Sequence, residues 1–108
     1  MSARVRCDPG IREFARRREG MIHALDGGVW LHRHSYNGEP MAHLVSSDRQ
    51  LLLRAGEKIG LRPEWLQHKP LKDPRTGKRV NAWHWDLRSW SLEACLPLVE
   101  KAECRDRS

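Results

Sequence analysis

Between residues 80 and 87 the chain reads V-N-A-W-H-W-D-L, and no other stretch restricts the fold as much. Side chains along an extended strand point alternately to its two faces. Trp83, Trp85 and Leu87 therefore share one face, and His84 and Asp86 share the other. A strand divided in this way can bury its tryptophan face in a core. Its second face presents an imidazole beside a carboxylate, which can hold a proton, a metal or a polar ligand. Burial rules also allow a plainer role, in which Asp86 satisfies His84 and nothing more.

The rest of the chain supplies the layers such a strand needs. Asp8-Pro9 is helix-opening chemistry, so a helix is expected near 9–19, with Gly20 as its stop. Residues 21–25 read as a strand, Asp26-Gly27 as a hairpin signal loosened by Gly28, and residues 29–36 as the return strand. Residues 37–40, N-G-E-P, are a turn, and 41–46 a third strand. Ser47, with Gln50 three residues on, has the form of a capping box. Leu51, Leu52, Ala55 and Ile59 then recur at helical spacing up to Gly60, which predicts a helix near 48–59. Residues 63–67 suggest one helical turn, and 68–79 a loop. A last helical region near 90–103 opens at Ser89 or Ser91 and is broken or kinked by Pro97. One domain spans 1–108, with 1–7 and 104–108 frayed. The expected class is α+β or α/β, a mostly antiparallel sheet of about four strands with helices covering one face.

Charge is unevenly spread. The net charge of +6 comes mainly from residues 1–20, with six Arg against three acids, and from residues 62–79, with six basic residues against two acids. Such blocks attract phosphates, and they also serve as solvated surface. Five Trp against one Phe and one Tyr suit a small core, and Trp is also a stacking surface for bases. Cys7, Cys95 and Cys104 are odd in number and have no C-x-x-C spacing, so neither a disulfide framework nor a four-Cys zinc site is expected. There is no apolar run of transmembrane length and no signal-peptide pattern, so a reducing cytoplasm is the expected location and no membrane partner is expected. On the strand at 29–36, His32 and His34 share a face, where the pair is a candidate metal chelate lacking a third ligand.

Ala42-His43-Leu44, then Ile59-Gly60, then Trp65-Leu66-Gln67, then His84-Trp85-Asp86-Leu87 follow in an order that resembles a family of bacterial and phage proteins, domain of unknown function four-thousand-thirty-one. Its members carry C-H-M/L, an I-G helix end, W-F-Q and H-Y-D-I/L. The likeness covers residues 42–87, about half of the chain. His43, Gln67, His84 and Asp86 match the family's polar positions, with Leu66 replacing Phe and Trp85 replacing Tyr. Leu51-Leu52-Leu53 stands where the family has E-L-H. An early Asp pair has no counterpart near Trp30-Leu31, and a Lys-Arg pair is replaced near Ser91-Leu92. The family brings no established activity, so the likeness marks a site and not a reaction.

Three functions are compatible with these residues. The first is binding of a phosphate-bearing ligand, RNA, DNA or a nucleotide. Lys69, Lys72, Arg75, Lys78 and Arg79 would meet phosphate, Trp65 or Trp85 would stack a base, and Gln67 would read its edge. The second is a small hydrolase or transferase acting on a phosphoester or nucleotide-derived substrate. There His43 and His84 act as acid and base, Asp86 orients one imidazole, and Gln67 polarises the substrate. This requires His43, Gln67, His84 and Asp86 to converge in one pocket. The third is a protein-interaction module. His43, His84 and Asp86 also form a two-His, one-carboxylate set of the kind that holds metals. The residues name no cofactor and no oligomeric state.

Overall fold

The computed structural model describes residues 10–101. Its elements are β1 (Ile11–Glu13), α1 (Arg17–Leu25), β2 (Val29–Tyr36), β3 (Glu39–Ser46), α2 (Arg49–Ile59), a 3-10 turn (Pro63–Trp65), β4 (Gln67–His68), β5 (Leu71–Lys72), β6 (Arg79–Val80), β7 (Trp83–Arg88), α3 (Trp90–Cys95), a second 3-10 turn (Leu96–Leu98) and β8 (Val99–Lys101). Six strands form one mixed sheet in the order β4-β7-β3-β2-β1-β8, and β5 and β6 form a separate small hairpin. The class is α+β. The three central strands and β4 pair antiparallel, whereas β1 runs parallel to both β2 and β8.

Six strands replace the expected four because segments read as helix or loop add to both edges. The helix expected near 9–19 is instead β1 followed by the first turn of α1, and residues 21–25 are helical rather than extended. Two glycines account for the misreading. Gly20 does not stop a helix. It sits inside α1, where a Cβ would fall within the Trp30 indole. Gly27, with φ +98°, does not turn a hairpin. It ends α1, with Gly27 N–H donating to Ala24 O at 3.1 Å and Gly28 N–H to His23 O at 2.9 Å. That pair of bonds is the Schellman pattern, which satisfies the last carbonyls of a helix. α2 ends identically through Gly60, φ +101°, with Leu61 N–H donating to Gly56 O at 2.8 Å. The signal at Gly60 is legible because an apolar stripe precedes it. α1 has no such stripe, so its terminal Gly reads equally well as a turn.

Other boundaries moved less. α2 is capped by Asp48, whose carboxylate accepts from Leu51 N–H at 3.0 Å, and not by Ser47. Ser47 Oγ instead donates to Leu25 O at 3.1 Å and ties α2 to the end of α1. Asn37-Gly38 forms the expected turn, with positive φ at both residues, as a two-residue hairpin between β2 and β3 requires. The last helical region is one short helix, a 3-10 turn holding Pro97, and then β8 in place of further helix. Asp8-Pro9, Cys7, Cys104 and the expected frayed ends lie outside the described residues. No helix among the described residues is long and apolar enough to cross a membrane.

The helices cover both faces of the sheet, not one. α2 and α3 lie on the face that carries Leu31, Leu44, Trp85 and Leu87, and Leu52, Ala55, Ile59, Leu92 and Cys95 complete this main core. α1 follows from topology. It joins the parallel neighbours β1 and β2, and such a crossover must pass over one face. It passes over the opposite face, where Ala24 packs with Trp30 and Val45. Trp85 anchors the main core. Its ring is 1% exposed and its Nε1–H donates to Leu52 O at 2.8 Å, which satisfies the indole in an apolar surround. The ring has room because residue 56 is glycine, where a Cβ would fall within the indole. Gly56→Ala should therefore destabilise by about 1–3 kcal/mol, the usual cost of overpacking. Ala in place of Gly at an open helix position stabilises by about 1 kcal/mol. A rise in the urea midpoint of Gly56→Ala would show that the indole does not occupy this space.

Candidate functional site

Register places the polar side chains. Trp30 pairs with Val45, His32 with His43, and His34 with Met41 across β2 and β3. His43 pairs with Asp86 and Val45 with His84 across β3 and β7, and Gln67 of β4 pairs with His84. Directly paired residues project to the same side of a sheet. All of these residues therefore lie on the face opposite Trp85. The alternation that buries Trp85 and Leu87 forces His84 and Asp86 outward.

His43, Gln67, His84 and Asp86 do converge. His43 Nε2 lies 3.0 Å and His84 Nε2 3.3 Å from the same carboxylate oxygen, Asp86 Oδ1. Gln67 Nε2 donates to the other oxygen, Oδ2, at 2.9 Å. The two imidazole rings stand 4.8 Å apart, and the His34 ring lies tilted against His43 at 4.7 Å. His32 lies 4.8 Å from the Trp30 indole. The four groups line a cavity of about 520 Å³. Arg17 from the start of α1 and Lys69 after β4 stand on its walls, and Trp30, Val45 and Leu71 form its apolar part.

Burial pushes His43, His84 and His32 below the ordinary imidazole range. The neighbouring His84 adds to the effect on His43, Lys69 to that on His84, and Arg17 to that on His32, while Asp86 opposes it at His43 and His84. At neutral pH these imidazoles are uncharged. Each can donate one N–H to Asp86 and keep a basic nitrogen. His23, on α1, is also pushed down by burial, and its Nε2 is buried without a hydrogen-bond partner among the described residues. Cys95 is buried in the main core, where desolvation pushes its thiol up to about 11, so it is not a nucleophile.

The segment 68–79, expected as a basic loop, is the β5–β6 hairpin, folded onto the cavity face with Leu71 against the Trp30 cluster. Arg75 does not face the cavity. Its guanidinium bonds Asp73 at 3.0 Å through two nitrogens, and Asp26 at the end of α1 at 3.1 Å. The Arg75 guanidinium holds the Asp73 carboxyl below its usual range. Lys72, Lys78 and Arg79 are exposed on the hairpin and do not line the cavity, and neither does Trp65. Trp65 is 48% exposed and carries the Arg62 guanidinium over its ring at 5.9 Å. Trp85 is buried and offers no stacking face. Among the described residues, the three donors close enough to share an ion are His43, His84 and Asp86, all within 4.8 Å of one another. His32 and His34 are not in that group. Arg17 is the charged cavity residue that sequence reasoning did not single out, and the apolar wall of Trp30, Val45 and Leu71 was not singled out either. Arg17 stood within an Arg cluster, and only the position of α1 distinguishes it from its neighbours.

Comparison of the chain with protein-family models, curated proteins and solved structures returned no match.

Two outcomes follow from this geometry. The folded state holds these imidazoles, with His23, below the unfolded value of about 6.5, so it takes up fewer protons than the unfolded chain as pH falls past that value. Thermal stability should therefore drop between pH 7.5 and 5.5, and a midpoint that rises on acidification would mean the histidines are charged in the fold. Arg75→Ala should expose the hairpin to limited proteolysis within residues 68–79 while leaving the global unfolding midpoint little changed. Unchanged cleavage would show that the clasp to Asp26 and Asp73 does not hold the hairpin.

Proposed function

We propose that this protein binds a phosphate-bearing ligand, a nucleotide or a nucleic-acid segment, in the cavity on its histidine face. The observation that carries the reading is the balance of donors there. Among the described residues Asp86 is the only carboxylate on the cavity wall, and Gln67, His43 and His84 already engage it. What remains facing the space are the imidazoles of His32 and His34 and two cations, Arg17 and Lys69, neither cation with a carboxylate partner among the described residues. A phosphate entering this space meets hydrogen-bond donors and positive charge. Lys72, Lys78 and Arg79 act at longer range, drawing an anion toward the face they flank. Membership of the family that the sequence resembles belongs to the same proposal, because the converging groups occupy its matched polar positions.

Convergence also favours a second reading, acid–base chemistry on a phosphoester. Two imidazoles sharing one orienting carboxylate can take and return a proton at neighbouring positions. In this reading His43 and His84 are the proton carriers, Asp86 fixes their tautomers, and Gln67 holds the carboxylate.

Binding of a short single-stranded oligonucleotide should weaken as salt rises. A log–log slope near −1.4 corresponds to roughly two phosphate contacts at about 0.7 each. Lys69→Ala and Arg17→Ala should each reduce that slope by about one contact. Salt-independent binding, or none of either the oligonucleotide or adenosine monophosphate, refutes the reading. For the acid–base reading, turnover of bis(p-nitrophenyl) phosphate should fall by about 10²-fold or more in His43→Asn. Turnover that survives this change in a folded variant excludes His43 as a proton carrier.

A further inference from the structure

We infer that His43, His84 and Asp86 form a mononuclear site for a divalent first-row transition ion of the Zn²⁺ class. The inference deepens the phosphate reading, since such an ion would receive a phosphate oxygen, but metal uptake is measurable without any phosphate.

The geometry is that of a coordination shell. Zn²⁺ binds imidazole nitrogen and carboxylate oxygen at about 2.0–2.1 Å, so adjacent ligand atoms around a tetrahedral ion stand about 3.3 Å apart. Asp86 Oδ1 lies 3.0 Å from one Nε2 and 3.3 Å from the other. One ligand atom from each of the three residues lies within 4.8 Å of the other two, so a small inward shift of rotamers places an ion among them. The donors stand on adjacent strands, with His43 and Asp86 directly paired, so the backbone sets their spacing. A site built on strands is held more tightly than one built on loops.

The surroundings fit a metal better than a closed hydrogen-bond triad. Gln67 binds Oδ2 and leaves Oδ1 turned to the imidazoles, the second-layer support that orients a ligating carboxylate. The same nitrogen of two separate imidazoles is aimed at one carboxylate oxygen, so lone pairs of all three can turn to a single ion. Three protein ligands beside a cavity of about 520 Å³ leave a coordination position for water or a phosphate oxygen. Structural zinc sites are closed by a fourth protein ligand, whereas reactive ones keep that position open. Two nitrogens and one oxygen suit Zn²⁺, Fe²⁺ or Co²⁺, while Mg²⁺ and Ca²⁺ require mostly oxygen ligands. In the metal-free protein both Nε2–H groups can donate to Oδ1. When an ion binds, each imidazole adopts the Nδ1–H tautomer and its Nε2 lone pair faces the metal.

Full-length protein without a His-tag, stripped with chelator, should take up one equivalent of Zn²⁺ in a titration free of phosphate, and no Mg²⁺. Gln67→Ala should weaken Zn²⁺ binding about 10–100-fold, as loss of an orienting partner does. His43→Asn and Asp86→Asn should weaken it further, and His32→Asn should leave it unchanged. Folding of each variant is checked by circular dichroism. Because a variant here can lose its fold, the unmodified protein loaded with Co²⁺ provides a second readout, the visible bands of a four- or five-coordinate nitrogen–oxygen site. Absence of one-equivalent Zn²⁺ uptake, an octahedral Co²⁺ spectrum, or Zn²⁺ binding abolished by His32→Asn overturns the inference. Adenosine monophosphate binding is measured on stripped and Zn²⁺-loaded protein. Binding by stripped protein that takes up no Zn²⁺ sinks the metal site and leaves the phosphate reading standing. Zn²⁺ uptake with no binding of the nucleotide supports the metal site and sinks the phosphate reading.

Discussion

The indole of Trp85 holds the central strand β7 in register. It is buried between the central strands and α2, its N–H bonded to Leu52 O, its ring resting where Gly56 has no side chain. A strand cannot slip by one residue without turning every side chain to the other face. A slip in β7 would expose Trp85 and Leu87 and drive Asp86 into an apolar core. The tryptophan therefore sets the register of β7, and that register delivers His84 and Asp86 to the opposite face.

The second face has two halves of different character. One is apolar, closed by α1 and the β5–β6 hairpin over Trp30 and Val45. Gly20 lets the helix approach the Trp30 indole, and Arg75 clasps the hairpin to the end of α1 through Asp26. The other half remains open and carries the imidazoles. The cavity lies at their boundary, with an apolar wall on one side and hydrogen-bonding groups on the other. That mixture is typical of small-ligand sites, where shape excludes water and a few polar groups set orientation. The clasp also consumes a charge that would otherwise count toward phosphate attraction, so the basic character of the hairpin overstates what reaches the cavity.

Much of the fold was legible wherever a single periodicity ruled a segment. The period-two patterns of β2, of β3 and of β7 from Trp83 onward, and the stripe of α2 with its terminal Gly60, read correctly. The strand expected over 80–87 is split, with Val80 in β6 and Asn81 and Ala82 in neither strand. Errors fell where one residue type serves two purposes. Gly20 reads as a stop although it marks a close approach to Trp30, and Gly27 reads as a hairpin turn although it ends a helix that no apolar stripe announces. β1 and β8 are three residues each, too short for any period to declare itself, and parallel pairing leaves no hairpin signal in the sequence. The short pairings of β4, β5 and β6 are set by contacts with distant segments.

Alternation along a strand settles which groups face together, and it is read from residue order without a structure. Strand geometry leaves Trp85 and Leu87 no choice but the face opposite His84 and Asp86, and gives His32 and His34 a common side. It could not determine which strands lie side by side, because neighbours in a sheet are chosen by burial and chain crossing. Tertiary structure alone decided that His43 sits opposite Asp86 and that Gln67 reaches Oδ2. It also decided that Arg17 stands at the cavity while Arg75 is spent on a clasp. Alternation put the carboxylate and one imidazole on the same face, and the order β4-β7-β3 brought the second imidazole and the amide to them.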